Sequence, residues 1–507
     1  MSITYARHLD RIEKIKQNEN VQTVIELWEC KFNKMIVEDQ EFKEFHDKEK
    51  DIRPPINPRN ALSGGRTNAI LLHHVGSIGY VDFTSLYPYI QKYGIFPIGH
   101  PEVITENFQS VDSYFGLIFC RILPPKNLYI PILPFHVNNK LVFPLCATCA
   151  KQQEQDTCKH SDYDRELEGT WVSLEINEAV KNGYIVTKVF EVWNFERKEQ
   201  YDPVHESGGL FTNYVNTFLK IKQESSGYPR WVLTESDKNK YIDEYYKHEG
   251  ILLEKKNICV NNGLKAISKL LLNSQWGRYA MQTNKTKCKF LTNAYEMFNY
   301  LYNDQYEVVD VVFATDNVGL LYYKDLKEMH WGSNQTNVVI AAFVTSQARL
   351  KLYSELKKLG ERVIYFDTDS VFYKKSKNAF EYEPLCGDYL GMFTDEIDPS
   401  EGTEIVEFAS AGPKNYTFKM NTGITHTKVK GFSLNHTASQ KIDFEKIKNM
   451  VFQHKEPNQE RVIQNTITRN KKDWTVATKQ CEKIYRLVYD KRVILNDLST
   501  IPYGYVK

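Results

Sequence analysis

Apolar and polar positions along this chain follow different periods in different stretches, and each period predicts its own element. VIYFDTDSVFY, residues 363–373, is two β-rich apolar runs joined through DTD, which predicts a hairpin with carboxylates at its tip. GYVDF, residues 79–83, predicts a short strand ending in Asp82, and SLYPYIQKYG after it predicts a turn into a helix. Residues 251–282 read as helix, with LKAISKLLLNSQWGRYA the most patterned part. There Lys269, Asn273 and Gly277 fall four apart on one face, Trp276 lies beside them, and Leu270, Leu271 and Leu272 are expected to pack inward. A further helix is expected around Leu174 to Asn182. Residues 1–60 are charged, with apolar positions at Ile25, Leu27, Trp28 and Phe32, and they close on RPPINPRN, a candidate boundary. The stretch from about 95 to 250 otherwise reads as irregular, with many prolines before Pro144, and the tail from about 411 is lysine-rich with short strands and helices.

Composition narrows the class. A length of 507 residues suggests about three structural units, and no period of 20–50 residues recurs, which removes solenoids and propellers. The longest apolar run, Val338 to Val344, falls far short of the roughly 20 residues of a bilayer-spanning helix, and the charged start lacks a signal-peptide core. A soluble, intracellular protein with no membrane partner is expected, its compartment left open. The net charge is +1, so any polyanion site must be a local patch. Nine cysteines are too few and too scattered for a disulfide framework. Cys146-x-x-Cys149 followed by Cys158-x-His160 offers four zinc-type ligands, which predicts a structural zinc clip, with reduced unliganded cysteines as the alternative.

Packing the strand that ends at Asp82 beside the hairpin bearing Asp367 and Asp369 gathers three carboxylates. Such a cluster demands cations, and Mg²⁺ takes oxygen ligands at about 2.0–2.1 Å while keeping positions for substrate phosphates. Two ions about 3.5–4 Å apart can activate a hydroxyl and stabilise leaving pyrophosphate. Taken alone, DTD also suits an ordinary turn and Asp82 a helix cap. The helix near residue 270 shifts the balance, because lysine is a point-charge phosphate ligand, Asn273 and the flat Trp276 ring can border a base, and Gly277 permits close approach of another backbone.

DFTSLYP (82–88), KLLLNSQWG (269–277) and YFDTDS (365–370), in this order, resemble the three polymerase motifs of family B DNA polymerases. TSQAR (345–349) resembles the element that holds template and primer, and KNY (414–416) the element that positions the primer end. GGRTN (64–68), the long insertion after the first motif and the spacer before residue 335 are similar to the protein-primed branch. LSGGRTNA with CATC, CKHSD and GTW looks closest to its Maverick/Polinton and linear-plasmid type. The resemblance implies an α+β, right-hand fold: a palm on an antiparallel sheet, helical fingers and a small thumb. The expected parts are an N-terminal remnant or linker region at 1–60, palm at 61–95 and 336–410, an insertion with the Cys/His cluster at 96–250, fingers at 251–282, a second insertion at 283–335, and thumb and tail at 411–507.

The same resemblance implies DNA synthesis from deoxynucleoside triphosphates on a DNA primer-template, with a terminal protein as primer in that branch. It implies two Mg²⁺ ions, with Mn²⁺ as an alternative. Carried across residue by residue, Asp82 and Asp369 become the principal metal ligands and Asp367 a third acid near the primer end. Tyr87 becomes the ring that excludes a ribose 2′-hydroxyl. Lys269 would grip the triphosphate, helped by Lys265 or by Lys255 and Lys256, while Asn273, Trp276 and Gly277 complete the nucleotide site. Gly64, Gly65, Arg66, Thr345, Arg349, Lys414 and Tyr416 are expected to meet DNA; Thr345 and Arg349 face one strand from a helix, and Lys414 and Tyr416 share a face of a strand.

Fewer than 70 residues precede GGRTN, too few for a 3′–5′ exonuclease domain, so either a polymerase lacking proofreading or a fragment from which the nuclease has been cut is expected. Asp39 and Glu41, a D-x-E string like that nuclease's first motif, are expected on a solvated face. Trp276 stands in place of the usual tyrosine, and Leu62 where phage relatives often have tyrosine. A decayed derivative that keeps only DNA binding is the alternative, against which all three acids and Lys269 argue. DTDS and Tyr87 disfavour a reverse transcriptase or an RNA polymerase.

Overall fold

The computed structural model describes residues 2–17, 21, 23–48, 53–326, 333, 335–455, 458–470 and 473–507. The chain divides into two compact units, residues 1–55 and 56–507. In the first, helices Ser2–Lys16, Glu29–Glu38 and Gln40–Lys48 are short, and Phe32 meets Phe42 edge to face at 5.6 Å. Asp39 and Glu41 are exposed; Asp39 caps the third helix, its carboxylate accepting the Phe42 N–H at 3.0 Å.

In the second unit the first and third motifs enter one antiparallel sheet. Its strand order is Thr67–Ala69, Val363–Asp367, Ser370–Lys374, His73–Phe83, Ile405–Gly412, Asn415–Met420, Thr425–Val429, and Phe393–Asp395 pairs with the end of His73–Phe83. Side chains alternate across the pleat, so Val371 and Tyr373 enter one core while Phe372 enters another. Both faces are covered. Val363, Ile364, Tyr365 and Phe366 are therefore all fully buried, and an uninterrupted apolar run is what such a strand requires.

The long helix Val338–Leu359 covers one face, burying Phe343, Val344, Leu352 and Leu356 with Phe366. The helix Phe444–Phe452 covers the other through Ile447, Met450 and Val451. Each such side chain stabilises the fold by roughly 1.5–3 kcal/mol. The long helix begins at Asn337, whose side chain accepts the Ile340 N–H at 3.1 Å, and stops at Gly360, whose φ of 57° glycine adopts without strain.

Three expectations change. The 95–250 stretch is ordered: Glu102–Ile104, Ile185–Asn194, Gly116–Leu123 and Leu167–Val172 form an antiparallel sheet in that order, joined by helices Ser173–Lys181, Thr212–Glu224 and Glu235–Glu249. Five of its prolines, Pro124, Pro125, Pro131, Pro134 and Pro144, fall between the strands Gly116–Leu123 and Leu167–Val172. The helix expected over 251–282 is Asn262–Tyr279; it packs on Thr212–Glu224 along a narrow stripe, so Leu272 is buried but Leu270 is 66% exposed. The central sheet also runs on through Val429, past the 411 boundary expected for a thumb.

Farther on, strands Lys287–Leu291, Val318–Asp325 and Tyr306–Thr315 form a separate small sheet, and Gln459–Asn470 with Thr475–Arg486 a long hairpin. No helix among the described residues is long and apolar enough to cross a membrane.

Candidate active site

Strand register brings the acids together. Ser370 lies opposite Asp82, the Phe83 N–H donates to the Asp369 carbonyl at 2.8 Å, and Thr368 turns the hairpin with a φ of 61°. Burial, then the Asp369 and Glu396 charges, push the Asp82 carboxyl up to about 7, against the pull of Lys269 and Lys428. Burial and Asp367 push Asp369 up to about 6. Asp367 is better served, accepting from Thr67 Oγ1 at 2.7 Å and from Lys414 Nζ at 2.8 and 3.0 Å. The cluster thus carries more negative charge than its surroundings neutralise, and its donors are all hard oxygens of the kind that suit Mg²⁺ or Mn²⁺.

All three aspartates line one cleft of about 720 Å³, together with Thr368, Lys414, Tyr416, Lys428 and Lys430. A somewhat larger cleft of about 830 Å³, lined by Tyr89, Tyr93, Tyr353 and Lys357 among others, includes none of these acids, so size does not mark the chemistry. Lys269 and Asn273 are exposed on their helix, and the Lys269 charge reaches Asp82. Trp276 stacks on Tyr87 with centroids 4.7 Å apart and planes 15° from parallel, joining second motif to first. A Cβ on Gly277 would meet nothing within 4 Å, so no backbone of this chain approaches there as expected; the space lies open.

Several expected DNA contacts prove to be scaffold. Arg349 is 3% exposed, pairs with both Glu175 oxygens at 2.8 Å, and donates to the carbonyls of Ser63 and, at 3.0 Å, Gly64. Thr345 is buried, its hydroxyl donating to the Ala342 carbonyl at 3.2 Å. Arg66 is buried too, donating to the Pro131 carbonyl at 2.7 Å over the Phe143 ring, with its guanidinium lowered to about 9 by desolvation. Facing a nucleic-acid strand is not what these three side chains do here. Arg349 instead holds the loop of Gly64, which is exposed, and Gly65, where a Cβ would fall 2.7 Å from the Thr368 side chain.

Lys414 sits in a turn with a φ of 59° rather than on a strand, and Tyr416 is buried against Tyr365, so the two share the cleft without sharing a strand face. Lys255 and Lys256 are ion-paired with Glu235 and Glu254, whereas Lys265 is exposed on the Lys269 helix. Sequence reasoning missed Lys222. It lies on Thr212–Glu224, donates to Ser85 Oγ at 3.2 Å, and its amine is lowered by desolvation and then by Lys269 and Lys265. Its signal was the helical spacing of Val215, Phe218 and Leu219 in a stretch read as irregular. Lys428 and Lys430 alternate after KNY and were also findable, as was Thr67 within GGRTN; Glu396 carries no local signal.

An antiparallel sheet whose clustered acids face lysine-bearing helices is the palm and fingers of a right-hand polymerase. Phi29 DNA polymerase, solved with primer-template DNA and incoming nucleotides, shares the fold with a TM-score of 0.53 and 14% identity over 88% of this chain and 66% of that one. A second Phi29 structure, the post-translocation complex with primer-template DNA, gives 0.53 and 15%, again over 88% and 66%. The profile of DNA polymerase type B, organellar and viral, matches residues 30–247 and 228–360, and the chain belongs to this family. A "Probable DNA polymerase" of Neurospora intermedia is 24% identical over 347 residues, 66% of this chain and 28% of that protein. Another from Podospora anserina is 24% identical over 404 residues, 74% and 27%. The chain therefore spans little more than a quarter of the length of these two relatives.

Proposed function

We propose that this chain extends a primer on a DNA template, joining deoxynucleotides to a 3′-hydroxyl with release of pyrophosphate. The observation that carries the reading is the strand register that sets Asp82 against the Asp367–Asp369 hairpin in a cleft edged by lysines. Asp82 and Asp369 would hold the divalent ions, Mg²⁺ or Mn²⁺, with Asp367 a further acid on the primer side. When bound, those ions supply activation of the attacking hydroxyl and charge neutralisation for the leaving group.

The remaining work falls to the chain's own side chains. Lys269 and Lys222, with Lys265 one turn away, neutralise the triphosphate as negative charge shifts towards pyrophosphate. Asn273 and Trp276 border the base, and the open space at Gly277 leaves room for it. Tyr87, held flat by Trp276, stands where a ribose 2′-hydroxyl would go. Lys414 and Tyr416 flank the primer end with Lys428 and Lys430, and the loop of exposed Gly64 and half-buried Gly65 offers backbone to the template. A serine, threonine or tyrosine hydroxyl of a terminal protein is an equivalent nucleophile, since the attacking atom is an alcohol oxygen either way. Zinc at Cys146, Cys149, Cys158 and His160 is the other metal in this reading.

Primer extension with each deoxynucleotide withheld in turn tests the proposal. Incorporation should halt opposite the template base whose partner is missing. DNA binding without incorporation, in Mg²⁺ and in Mn²⁺, would replace it with the decayed, binding-only derivative.

A further inference from the structure

Cys146, Cys149, Cys158 and His160 lie outside the cleft and take no part in synthesis, yet their ligand atoms all fall within 4.8 Å of one another. His160 Nδ1 is 3.6, 3.3 and 3.6 Å from the sulfurs of Cys146, Cys149 and Cys158. Around a tetrahedral zinc with bonds of about 2.0–2.3 Å, neighbouring ligands stand roughly 3.5–3.8 Å apart, so the three nitrogen–sulfur spacings lie close to those of the ion's shell. The Cys149 N–H donates to Cys146 Sγ at 3.4 Å, which aims the first thiolate inward, and Glu154 also faces the cluster, 3.3 Å from Cys149 Sγ. Cys146 and Cys149 are buried, and none of the three cysteines is in a disulfide.

What these ligands are packed against gives the site a purpose. Cys146 and Cys149 share a small core with Val493 and Tyr503 from the chain's last segment. The Leu145 N–H donates to the Tyr503 carbonyl at 2.7 Å, Gln155 Oε1 accepts the Ile494 N–H at 3.1 Å, and Lys140 pairs with Asp490. Gly504, at a φ of 85°, passes so close that a Cβ there would fall 2.4 Å from that of Cys146. The same last segment then grips the edge strand Thr67–Ala69 of the palm. The Thr500 N–H donates to the Ile70 carbonyl and its hydroxyl to that of Ala69, each at 2.8 Å, and Leu72 donates to Leu498 at 2.8 Å. Thr67 lies opposite Asp367 in the sheet and donates its hydroxyl to that carboxylate.

We propose that the quartet binds one structural Zn²⁺ that latches residues 490–504 against the palm, so that the ion braces the edge strand carrying Thr67 beside Asp367. This rests on the zinc assignment above and is independent of the polymerase reading.

The test is hydrogen exchange on the full chain, with zinc content measured in parallel. One zinc per chain is expected, and Co²⁺ in its place should show the thiolate charge-transfer absorption of a tetrahedral site. Chelation should speed exchange across residues 493–503 and 67–71 by about tenfold or more, leave the 459–486 hairpin unchanged, and be reversed by zinc. A chain without bound zinc overturns the metal site itself. Zinc bound, with exchange in both segments unmoved by its removal, overturns the latch alone. Because Cys158→Ser can simply misfold, Gly504→Ala breaks the contact from the other side: it should keep zinc and still speed exchange at 493–503, and unchanged exchange there counts against the latch.

Discussion

The cleft of the palm and the scaffold that supports its glycine loop use charged residues in opposite ways. In the cleft, Asp82, Asp367, Asp369 and Glu396 crowd together, and two of the carboxyls are driven up to about 7 and 6 because burial and mutual repulsion outweigh the nearby lysines. In the scaffold, Arg349 and Glu175 are 2% and 1% exposed at their side chains and bind each other through two 2.8 Å contacts. A charge that is fully buried and fully paired holds a shape; one that is half-buried and short of partners is poised for a ligand. Cleft substitutions should therefore remove activity without unfolding the chain, and scaffold substitutions should remove both.

Asp369→Ala is the hardest strain on that contrast. Primer extension should fall by about 10³-fold or more, roughly 4 kcal/mol in the barrier, with DNA binding largely kept. In metal-free buffer the thermal midpoint should hold or rise, because repulsion has been relieved; extension near the unsubstituted rate refutes the metal-ligand assignment. Arg349→Met should cost stability as well as activity. It leaves Glu175 buried and unpaired at a cost of about 3–5 kcal/mol, visible in denaturant unfolding. Adding Glu175→Leu should recover much of that loss, whereas primer extension lost with stability unchanged would mean that Arg349 acts chiefly on DNA after all.

Lys222→Ala and Lys269→Ala come next. Each deletes one charge-assisted contact worth about 1.5–3 kcal/mol, so KM for the nucleotide should rise roughly tenfold to a hundredfold. Lys255→Ala, whose amine is tied to Glu235, should leave KM alone. Equal effects from all three would erase the distinction between committed and available lysines.

Much of this arrangement could be read in the sequence wherever a local pattern sufficed. The hairpin around DTD was legible because its apolar runs leave few alternatives, and Asp82 because it ends a strand and is followed by a helix start. Arg66 and Arg349 were misread because exposure is a tertiary property: nothing in GGRTN or TSQAR reveals that Pro131 and Glu175, far off in the chain, close over them. Lys222 was missed because the 95–250 stretch, with its many prolines before Pro144, reads as irregular although it holds an antiparallel sheet and three longer helices. The link from Thr67 to the last residues is likewise invisible, since hydrogen bonds spanning more than 400 positions leave no spacing to read.

The smallest effect concerns sugar choice. Tyr87 is held by the Trp276 ring, and burial, with Asp369 second, raises its hydroxyl to about 12, so it stays neutral at working pH. Its action on a 2′-hydroxyl is thus one of shape. Tyr87→Phe keeps the ring and should keep the preference for deoxynucleotides, whereas Tyr87→Val opens the wall and should lower that preference about tenfold, near 1.4 kcal/mol. Competition between a deoxy- and a ribonucleotide at one template position, run from pH 6.5 to 8.5, measures it. Because a neutral phenol has no charge to lose in that range, the discrimination ratio should stay flat with pH in the unsubstituted chain. A ratio that falls equally in Tyr87→Phe would place the selectivity in the hydroxyl and its hydrogen bonds, and the stacked pair would then serve packing alone.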